Sequence, residues 1–178
     1  MKLLRTIRLD PSDTLVFARA AEPGEWAVSG AFAFWDTDPA ALEGKARVAF
    51  RSGLLGVHSL GWSTLAQIVE ASEQDRASAV ESLARHFVAR FGAPDLVAAR
   101  QAAEEEVAFA ASLCNHPLGT LIAVHRTHDA GEIRETFRTL RQREGAPPLR
   151  AFSFLEVEGE EEPSEQVDLL ALSQGERK

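Results

Sequence analysis

The chain has 178 residues, of which 45% are hydrophobic and 26% charged, the values of an ordinary globular protein. No apolar run approaches the ~20 residues of a membrane helix, and the first residues lack the apolar stretch of a signal peptide. The single cysteine cannot form an internal disulfide, which agrees with a reducing compartment. We therefore expect a cytoplasmic protein that does not bind membranes.

The net charge of −8 is concentrated at one end of the chain. Residues 156–178 contain eight acidic and two basic residues and carry −6, which leaves about −2 for the other 155 residues. Neither part has the basic stripe that neutralises phosphates, so the composition argues against nucleic-acid binding.

Alternating apolar residues at the start of the chain predict an antiparallel meander of three strands, at residues 2–9, 14–21 and 26–35. A helix within 36–56 is predicted next, because Asp38 suits the N-cap position and Pro39 the first helical position. A strand at 63–71 should follow.

Two amphipathic helices then predict a helical hairpin. Ser72 is placed to cap the first helix and Gly92 to end it. Pro94 starts the second helix, which runs to Leu113.

The last elements predict a strand–helix–strand unit with a right-handed crossover. Its strands are residues 119–127 and 149–158, and its helix begins at Asp129, whose spacing to Glu132 resembles a capping box. The predicted fold is therefore α+β, with one mixed or antiparallel sheet, about four helices and a single domain at residues 1–158. Residues 159–178 form a separate acidic tail.

The segment from 114 to 128 contains the one cysteine and three of the five histidines. A soft metal ion would use four side chains here: Cys114, His116, His125 and His128. Their spacing is looser than that of structural zinc sites, and a helix end followed by a strand explains each residue separately. Cys114 is predicted to be a buried structural thiol, because the C-terminal end of a helix disfavours a thiolate.

Three consecutive glutamates, Glu104, Glu105 and Glu106, are typical of a solvated helix face, and the inward Glu-x-x-His pairs of di-iron bundles are missing. Glu104 and Glu105 lie off the apolar stripe, and the position of Glu106 is the least certain of the three. No nucleotide-binding, hydrolase or metalloprotease motif occurs, and there is no tyrosine. The residues therefore indicate no catalytic set and no cofactor.

The polar and aromatic groups that remain for a ligand pocket are Arg5, Arg8, His58, Trp62, His125 and His128. Two of them belong to the glycine-rich stretch 52–62. This stretch is either an apolar loop with His58 and Trp62 at its rim, or a buried crossover between a helix and a strand.

Several segments together resemble an uncharacterised family of small proteobacterial proteins: "MKLLRTIRLDPSDT", "AAEPGEWAVSGAFAFWDTDP", "FRSGLLGV.SLGWSTL", with His58 at the dot, and "RAFSFLEVEGEEEP". The resemblance covers nearly the whole chain and supplies no catalytic residues. It implies that the protein is associated with molybdopterin and iron–sulfur oxidoreductases and with a biotin/lipoate-ligase-like protein. It therefore implies an accessory role.

We expect a non-catalytic accessory protein that binds another protein. The resemblance implies that this partner is a subunit of a redox enzyme, which the chain assists during assembly. The alternatives are a small-molecule-binding protein or an enzyme with an unrecognised pocket and, more weakly, a metal-binding protein. The tail has an apolar segment that either folds back on the domain or docks on a partner: Val167, Leu169, Leu170 and Leu172. Deletion of residues 159–178 should leave a folded body.

Overall fold

The structure is a computed structural model that describes residues 1–141 and 156–158. The described part contains eight strands: β1 (Lys2–Ile7), β2 (Trp26–Val28), β3 (Leu54–Gly56), β4 (Trp62–Ser63), β5 (Leu65–Glu70), β6 (Leu121–Asp129), β7 (Glu132–Arg141) and β8 (Glu156–Glu158). It also contains four α-helices: α1 (Ser12–Val16), α2 (Gly44–Ser52), α3 (Glu73–Arg90) and α4 (Leu96–Ser112). Within these residues, no helix has the length and apolar character that crossing a membrane requires.

The described strands form one sheet in the order β4-β3-β2-β1-β5-β6-β7-β8, and every neighbouring pair is antiparallel. Strands β1 to β4 are one meander, strands β5 to β8 are a second, and the β1–β5 pair joins them. The α+β class, the single sheet and the helical hairpin are thus confirmed. The first meander contains different strands from those predicted, and the second meander takes the place of the predicted strand–helix–strand unit.

The α3–α4 hairpin forms where the capping residues predict it. The Ser72 hydroxyl accepts a hydrogen bond from the backbone N–H of Asp75 (3.1 Å), and the Asp75 carboxylate accepts one from the backbone N–H of Ser72 (2.9 Å). Gly92, with φ 73°, follows the first helix, and Asp95 caps the second. The two helices bury facing stripes: Ala79, Val80, Leu83, Ala84 and Phe87 on α3, and Ala99, Ala103, Val107 and Ala110 on α4.

The strand predicted at 14–21 is wrong, because this part of the chain begins with the short helix α1. Asp13 of this helix is 5% exposed, and its carboxylate accepts hydrogen bonds from the Thr64 hydroxyl (2.5 Å) and the Ser63 hydroxyl (3.3 Å). These contacts come from a distant strand junction and override the local β propensity. The N-terminal meander consequently has four strands, and residues 14–21 are not one of them.

The strand predicted at 26–35 ends at Val28. Gly30 has φ 83°, and a Cβ at this position would lie 2.6 Å from the Cβ of Leu55. The backbone turns at this glycine into a 3₁₀ helix, Ala31–Phe34, because only glycine fits the conformation and the space.

The single helix predicted within 36–56 is three elements. Asp38 caps a 3₁₀ helix, Pro39–Ala41, by accepting a hydrogen bond from the backbone N–H of Ala40 (3.0 Å), so the cap was placed correctly. The α-helix α2 begins only at Gly44, and strand β3 follows at Leu54. The strand predicted at 63–71 is present as β5, preceded by β4.

The helix predicted from Asp129, and with it the right-handed strand–helix–strand unit, is also wrong. β6 and β7 form an antiparallel hairpin whose two-residue loop is Ala130 (φ 50°) and Gly131 (φ 84°). Positive φ at both loop residues matches the twist of an antiparallel pair. Apolar residues at helical spacing in this segment also fit a strand, and the pairing with β6 decides between the two structures.

The sheet curls strongly. Arg126 of β6 donates hydrogen bonds to Ser29, which follows β2, although β1 and β5 lie between these strands. Three strand spacings of ~4.8 Å exceed the reach of an arginine side chain, so the sheet must bend to bring the two residues together. Of the strand predicted at 149–158, only 156–158 lies within the described residues, and the tail 159–178 lies outside them.

Candidate functional site

The six side chains proposed for a ligand pocket do not converge. The Arg5 guanidinium lies over the Trp26 ring (4.0 Å to the centroid), and Arg8 donates to the carbonyl of Ala21 (2.6 Å). The backbone N–H of His58 donates to a Glu25 carboxylate oxygen (2.9 Å), while its imidazole is exposed. Each cleft described on the surface contains at most one of these six residues.

Trp62 lies on strand β4, is half-buried and packs against the core. Its indole stacks on Phe34, with ring centroids 5.2 Å apart and planes 26° from parallel. A Cβ at Gly53 would lie 2.7 Å from the indole, and one at Gly30 would lie 3.0 Å from it. The two glycines therefore form the slot that holds the ring. The stretch 52–62 is neither of the two predicted structures, because it contains strands β3 and β4 with a turn between them that exposes His58.

The four candidate metal ligands are also separated. Cys114 is 4% exposed at the end of α4, and burial raises the pKa of its thiol to about 11. His125 and His128 are three positions apart on β6, so their side chains point to opposite faces of the sheet. Among residues 1–141 and 156–158, no group of three or more His, Cys, Asp or Glu side chains could hold a metal ion.

A buried cluster of charged groups lies where β6 and β7 face α2 and α4, around Arg126, which is 1% exposed. The Nε of Arg126 donates to Glu135 Oε1 (2.7 Å), and its Nη1 donates to the carbonyls of Phe50 (3.0 Å) and Gly53 (2.7 Å). Its Nη2 donates to the backbone carbonyl of Ser29, and the Ser29 hydroxyl donates to Glu135. One side chain thus fastens the end of α2 and the end of β2 to the β6–β7 hairpin.

Glu106 of α4 completes this Arg126 cluster. Burial, followed by the negative charges of Glu135 and Glu105, raises the pKa of Glu106 to about 7, and the positive charge of Arg126 opposes this rise. Burial lowers the pKa of Arg126, against the opposing effect of its ion pair with Glu135. Of the three consecutive glutamates, the one whose position the sequence left uncertain is therefore the one that turns inward.

The Arg126 cluster has the chemistry of a structural anchor. The five N–H groups of the guanidinium all donate to protein atoms, the fifth to the Ser29 hydroxyl, so no donor is left for a ligand. The side chain is fully enclosed, which gives a substrate no approach. The sequence contained one signal for it: Arg126 follows Ile122 and Val124 at period two, on the buried face of the strand.

Among the described residues, two of the regions that expose large apolar side chains bear on a binding site. The first, the hairpin-end patch, lies where α3 and α4 are joined and consists of Val88, Phe91, Leu96 and Val97. The second is a cleft of 410 Å³ between the 3₁₀ segments and the tip of the β6–β7 hairpin. Its wall includes Trp35, which is 80% exposed, together with Phe34, His128 and Ile133. Trp35 was not among the predicted site residues.

These features define a class: an α+β protein with a curled antiparallel sheet, a packed helical hairpin and exposed apolar patches, and with no convergent polar pocket among its described residues. Residues 1–154 match the model of a family of unknown function, DUF6505, and the chain belongs to this family. No curated protein and no solved structure matches the chain significantly. The resemblance to a domain of unknown function is thus confirmed at the level of the family.

Proposed function

We propose that this chain is a non-catalytic accessory protein that binds another protein through the hairpin-end patch. The exposure of this patch is the observation that supports the proposal most directly. Val97 is 76% exposed and Val88 is 43% exposed, on helices whose other faces are buried. Contiguous exposed apolar side chains are costly in water and mark binding surfaces.

The patch rests on a rigid support, which favours binding. The Phe91 ring packs edge to face against Phe32 (5.2 Å between centroids) and Phe87 (5.9 Å). Phe91 is nevertheless 39% exposed, so one edge of a fixed ring remains available to a partner. A partner that docks here orders few side chains and loses little conformational entropy.

The finer parts of the proposal rest on the resemblance alone. They are that the partner is a subunit of a molybdopterin or iron–sulfur oxidoreductase, which the chain assists during assembly, and that this takes place in the cytoplasm of a proteobacterium. The apolar tail residues beyond 166 are a second proposed contact with the same partner.

The test is affinity capture from the native cell with the full chain and with Val97→Asp. An aspartate in the first turn of α4 is compatible with the helix, because the N-terminal end favours negative charge. It should abolish capture of the partner seen with the native chain. Leu118→Asp is the matched control, since Leu118 is 54% exposed in the loop after α4, and this variant should retain the partner.

A second arm separates the patch from the tail. If the chain shortened to residues 1–158 stays folded and loses the partner while Val97→Asp retains it, the tail is the binding element and the patch is not. Equal capture by the native chain and Val97→Asp contradicts the proposal for the patch. Turnover of a small-molecule panel that one point mutation abolishes would contradict the non-catalytic assignment.

A further inference from the structure

The cleft beside Trp35 exposes apolar side chains to water. Phe34, Ile133 and Trp35 line it, and Trp35 is 80% exposed. Its volume of 410 Å³ lies in the range of clefts that hold ligands, roughly 300–1,000 Å³. A surface of this kind is more stable when an apolar group covers it. A segment of the chain itself is placed to do so.

Strand β8 directs the chain toward this cleft. Glu156 is opposite Arg141 of β7, and Glu158 is opposite Thr139, so the two strands run in opposite directions. The chain therefore leaves β8 in the direction of the first residues of β7, where Ile133 lines the cleft.

The chain beyond Glu158 is long enough to reach the cleft. Ile133 is six residues from Thr139, which is about 20 Å along a strand. The linker 159–166 contains eight residues and spans up to about 28 Å when extended. The apolar segment that follows the linker can thus reach the cleft: Val167, Leu169, Leu170 and Leu172.

The charges along this path favour the approach. The linker has four glutamates and no basic residue: Glu160, Glu161, Glu162 and Glu165. The exposed charged side chains of β7 are three arginines and one glutamate, a net charge of +2: Arg134, Arg138, Arg141 and Glu132. A linker of charge −4 is attracted to this strand, most strongly at low salt.

We infer that residues 167–172 dock in the Trp35 cleft of their own chain, with the acidic linker lying along β7. The docked segment covers the Trp35 indole and the Ile133 side chain with leucine side chains. Residues 142–155, the other stretch outside the described ones, join β7 to β8 at the end of β7 that is farthest from the cleft.

The tether favours this occupant over a separate protein or a second copy. A short flexible linker gives the attached segment an effective concentration in the millimolar range, well above that of a partner at micromolar concentration. If the segment binds the cleft with millimolar affinity, its docking constant is about three, and about three quarters of the molecules are docked. Release of the tail then changes the free energy of unfolding by less than about 1 kcal/mol.

The docked segment lies next to the hairpin-end patch. Phe32 of the 3₁₀ helix Ala31–Phe34 packs against Phe91 of the patch (5.2 Å between centroids), while Phe34 of the same helix lines the cleft. A partner bound to the patch can therefore also contact the tail. Docking itself requires no partner, so this inference stands or falls independently of the proposed function.

The test uses the indole N–H signals of the full chain in a proton–nitrogen correlation NMR spectrum. The chain has three tryptophans, and the signal that disappears in Trp35→Phe belongs to Trp35. Leu169→Asp combined with Leu170→Asp should lower the docking constant at least tenfold, because an ionised carboxylate is costly to bury in an apolar cleft. The Trp35 signal should then shift, while the signals of Trp26 and Trp62 stay in place and report an intact fold.

The matched control is Ser164→Asp combined with Gln166→Asp. It adds the same two charges to the tail but leaves the apolar segment unchanged. The Trp35 signal of this variant should stay at its native position.

A spin label at Ser173→Cys locates the tail. Cys114 is buried, and burial raises the pKa of its thiol to about 11, so the label reacts at residue 173. The label should broaden the signals of Trp35, Gly131 and Ile133, and the two leucine substitutions should reduce this broadening. In a mixture of labelled chains with unlabelled, isotope-enriched chains, the signals of the enriched chains should stay sharp.

Four results would overturn the inference. An unchanged Trp35 signal in the Leu169→Asp, Leu170→Asp variant, or an equal shift in the control, would show that the apolar segment does not cover this indole. Broadening of Phe91 and Val97 in place of the cleft residues would put the tail on the hairpin-end patch. Broadening in the mixed sample would mean that the tail docks on a second copy of the chain.

Discussion

Two clusters stabilise the same part of the sheet by different physical means, and they meet at Gly53. The Arg126 cluster uses charge: one enclosed guanidinium satisfies backbone carbonyls and a carboxylate. The aromatic cluster of Phe17, Phe34, Phe50 and Trp62 uses packing, with the indole set in a slot between glycines. The carbonyl of Gly53 accepts a hydrogen bond from Arg126, while its Cα borders the indole. Desolvating a charge is costly, so the first cluster depends on every partner, whereas the second tolerates partial loss.

The largest expected effect is that of Arg126→Met. It leaves the Glu135 carboxylate without its ion pair and removes the donor to the carbonyls of Phe50 and Gly53, so we expect a loss of about 4 kcal/mol in the free energy of unfolding. Denaturant titration measures it. Arg134→Met is the control. Arg134 forms an ion pair with Asp129 (3.5 Å), and both side chains are mostly exposed, so this variant should change the free energy of unfolding by less than about 0.5 kcal/mol. Similar losses in the two variants would contradict the anchoring role.

Trp62→Ala should cost about 3 kcal/mol, because it empties the slot between the glycines and removes the stacking on Phe34. Trp35→Ala is the matched control: this indole is exposed, and its loss should leave the free energy of unfolding nearly unchanged. If the two variants lost equal stability, Trp62 would not be a core residue.

Glu106→Gln tests the pH dependence of the Arg126 cluster. The folded pKa of Glu106, raised to about 7 from 4.5, means that between these pH values the folded state binds more protons than the unfolded state. The native chain should therefore lose stability as pH rises from about 5 to 8, and the variant should lack this slope and be about 3 kcal/mol more stable than the native chain at pH 8. Denaturant titration at several pH values measures both slopes.

The control for this pH series is Glu104→Gln, which removes an exposed carboxylate of the same helix and should retain the native slope. If the stability of the native chain and that of Glu106→Gln depend on pH in the same way between pH 5 and 8, the fold does not raise the pKa of Glu106.

Gly53→Ala should have the smallest effect, about 1 kcal/mol, and it probes the point where the clusters meet. The added Cβ would lie 2.7 Å from the Trp62 ring, so the ring or the strand must shift. In the Trp62→Ala background the overlap with the ring is gone and the one with the backbone oxygen of Ala49 (2.8 Å) remains, so the cost should shrink but not vanish. Thermal unfolding of the two single variants and the double variant measures this coupling, and strictly additive losses would indicate that the ring is not held by the glycine.

Elements that depend on neighbouring residues could be predicted from the sequence, and elements that depend on distant residues could not. Ser72 and Asp75 cap α3 from within four residues, so the helical hairpin was predictable. The helix predicted from Asp129 is wrong because apolar residues at 133 and 137 fit both the helical and the strand period. Pairing with β6 makes this segment a strand. The candidate ligand residues were chosen for their chemistry, and the structure uses Arg5, Arg8 and Trp62 in packing and backbone contacts.

The sequence by itself determined the α+β class, the helical hairpin with the Ser72 cap of α3, the first strand and the burial of Cys114, because each depends on composition, period or neighbouring residues. The second helix begins two residues after the predicted Pro94, with Asp95 as its cap. Only the tertiary structure decided that residue 13 belongs to a helix, that the 26–35 segment turns at Gly30, and that Arg126 and Glu106 are turned inward. These outcomes depend on groups far apart in the chain: Thr64 for Asp13, Leu55 for Gly30, and Ser29, Phe50 and Gly53 for Arg126. A buried charge is stable only where such partners converge, and local sequence does not specify that convergence.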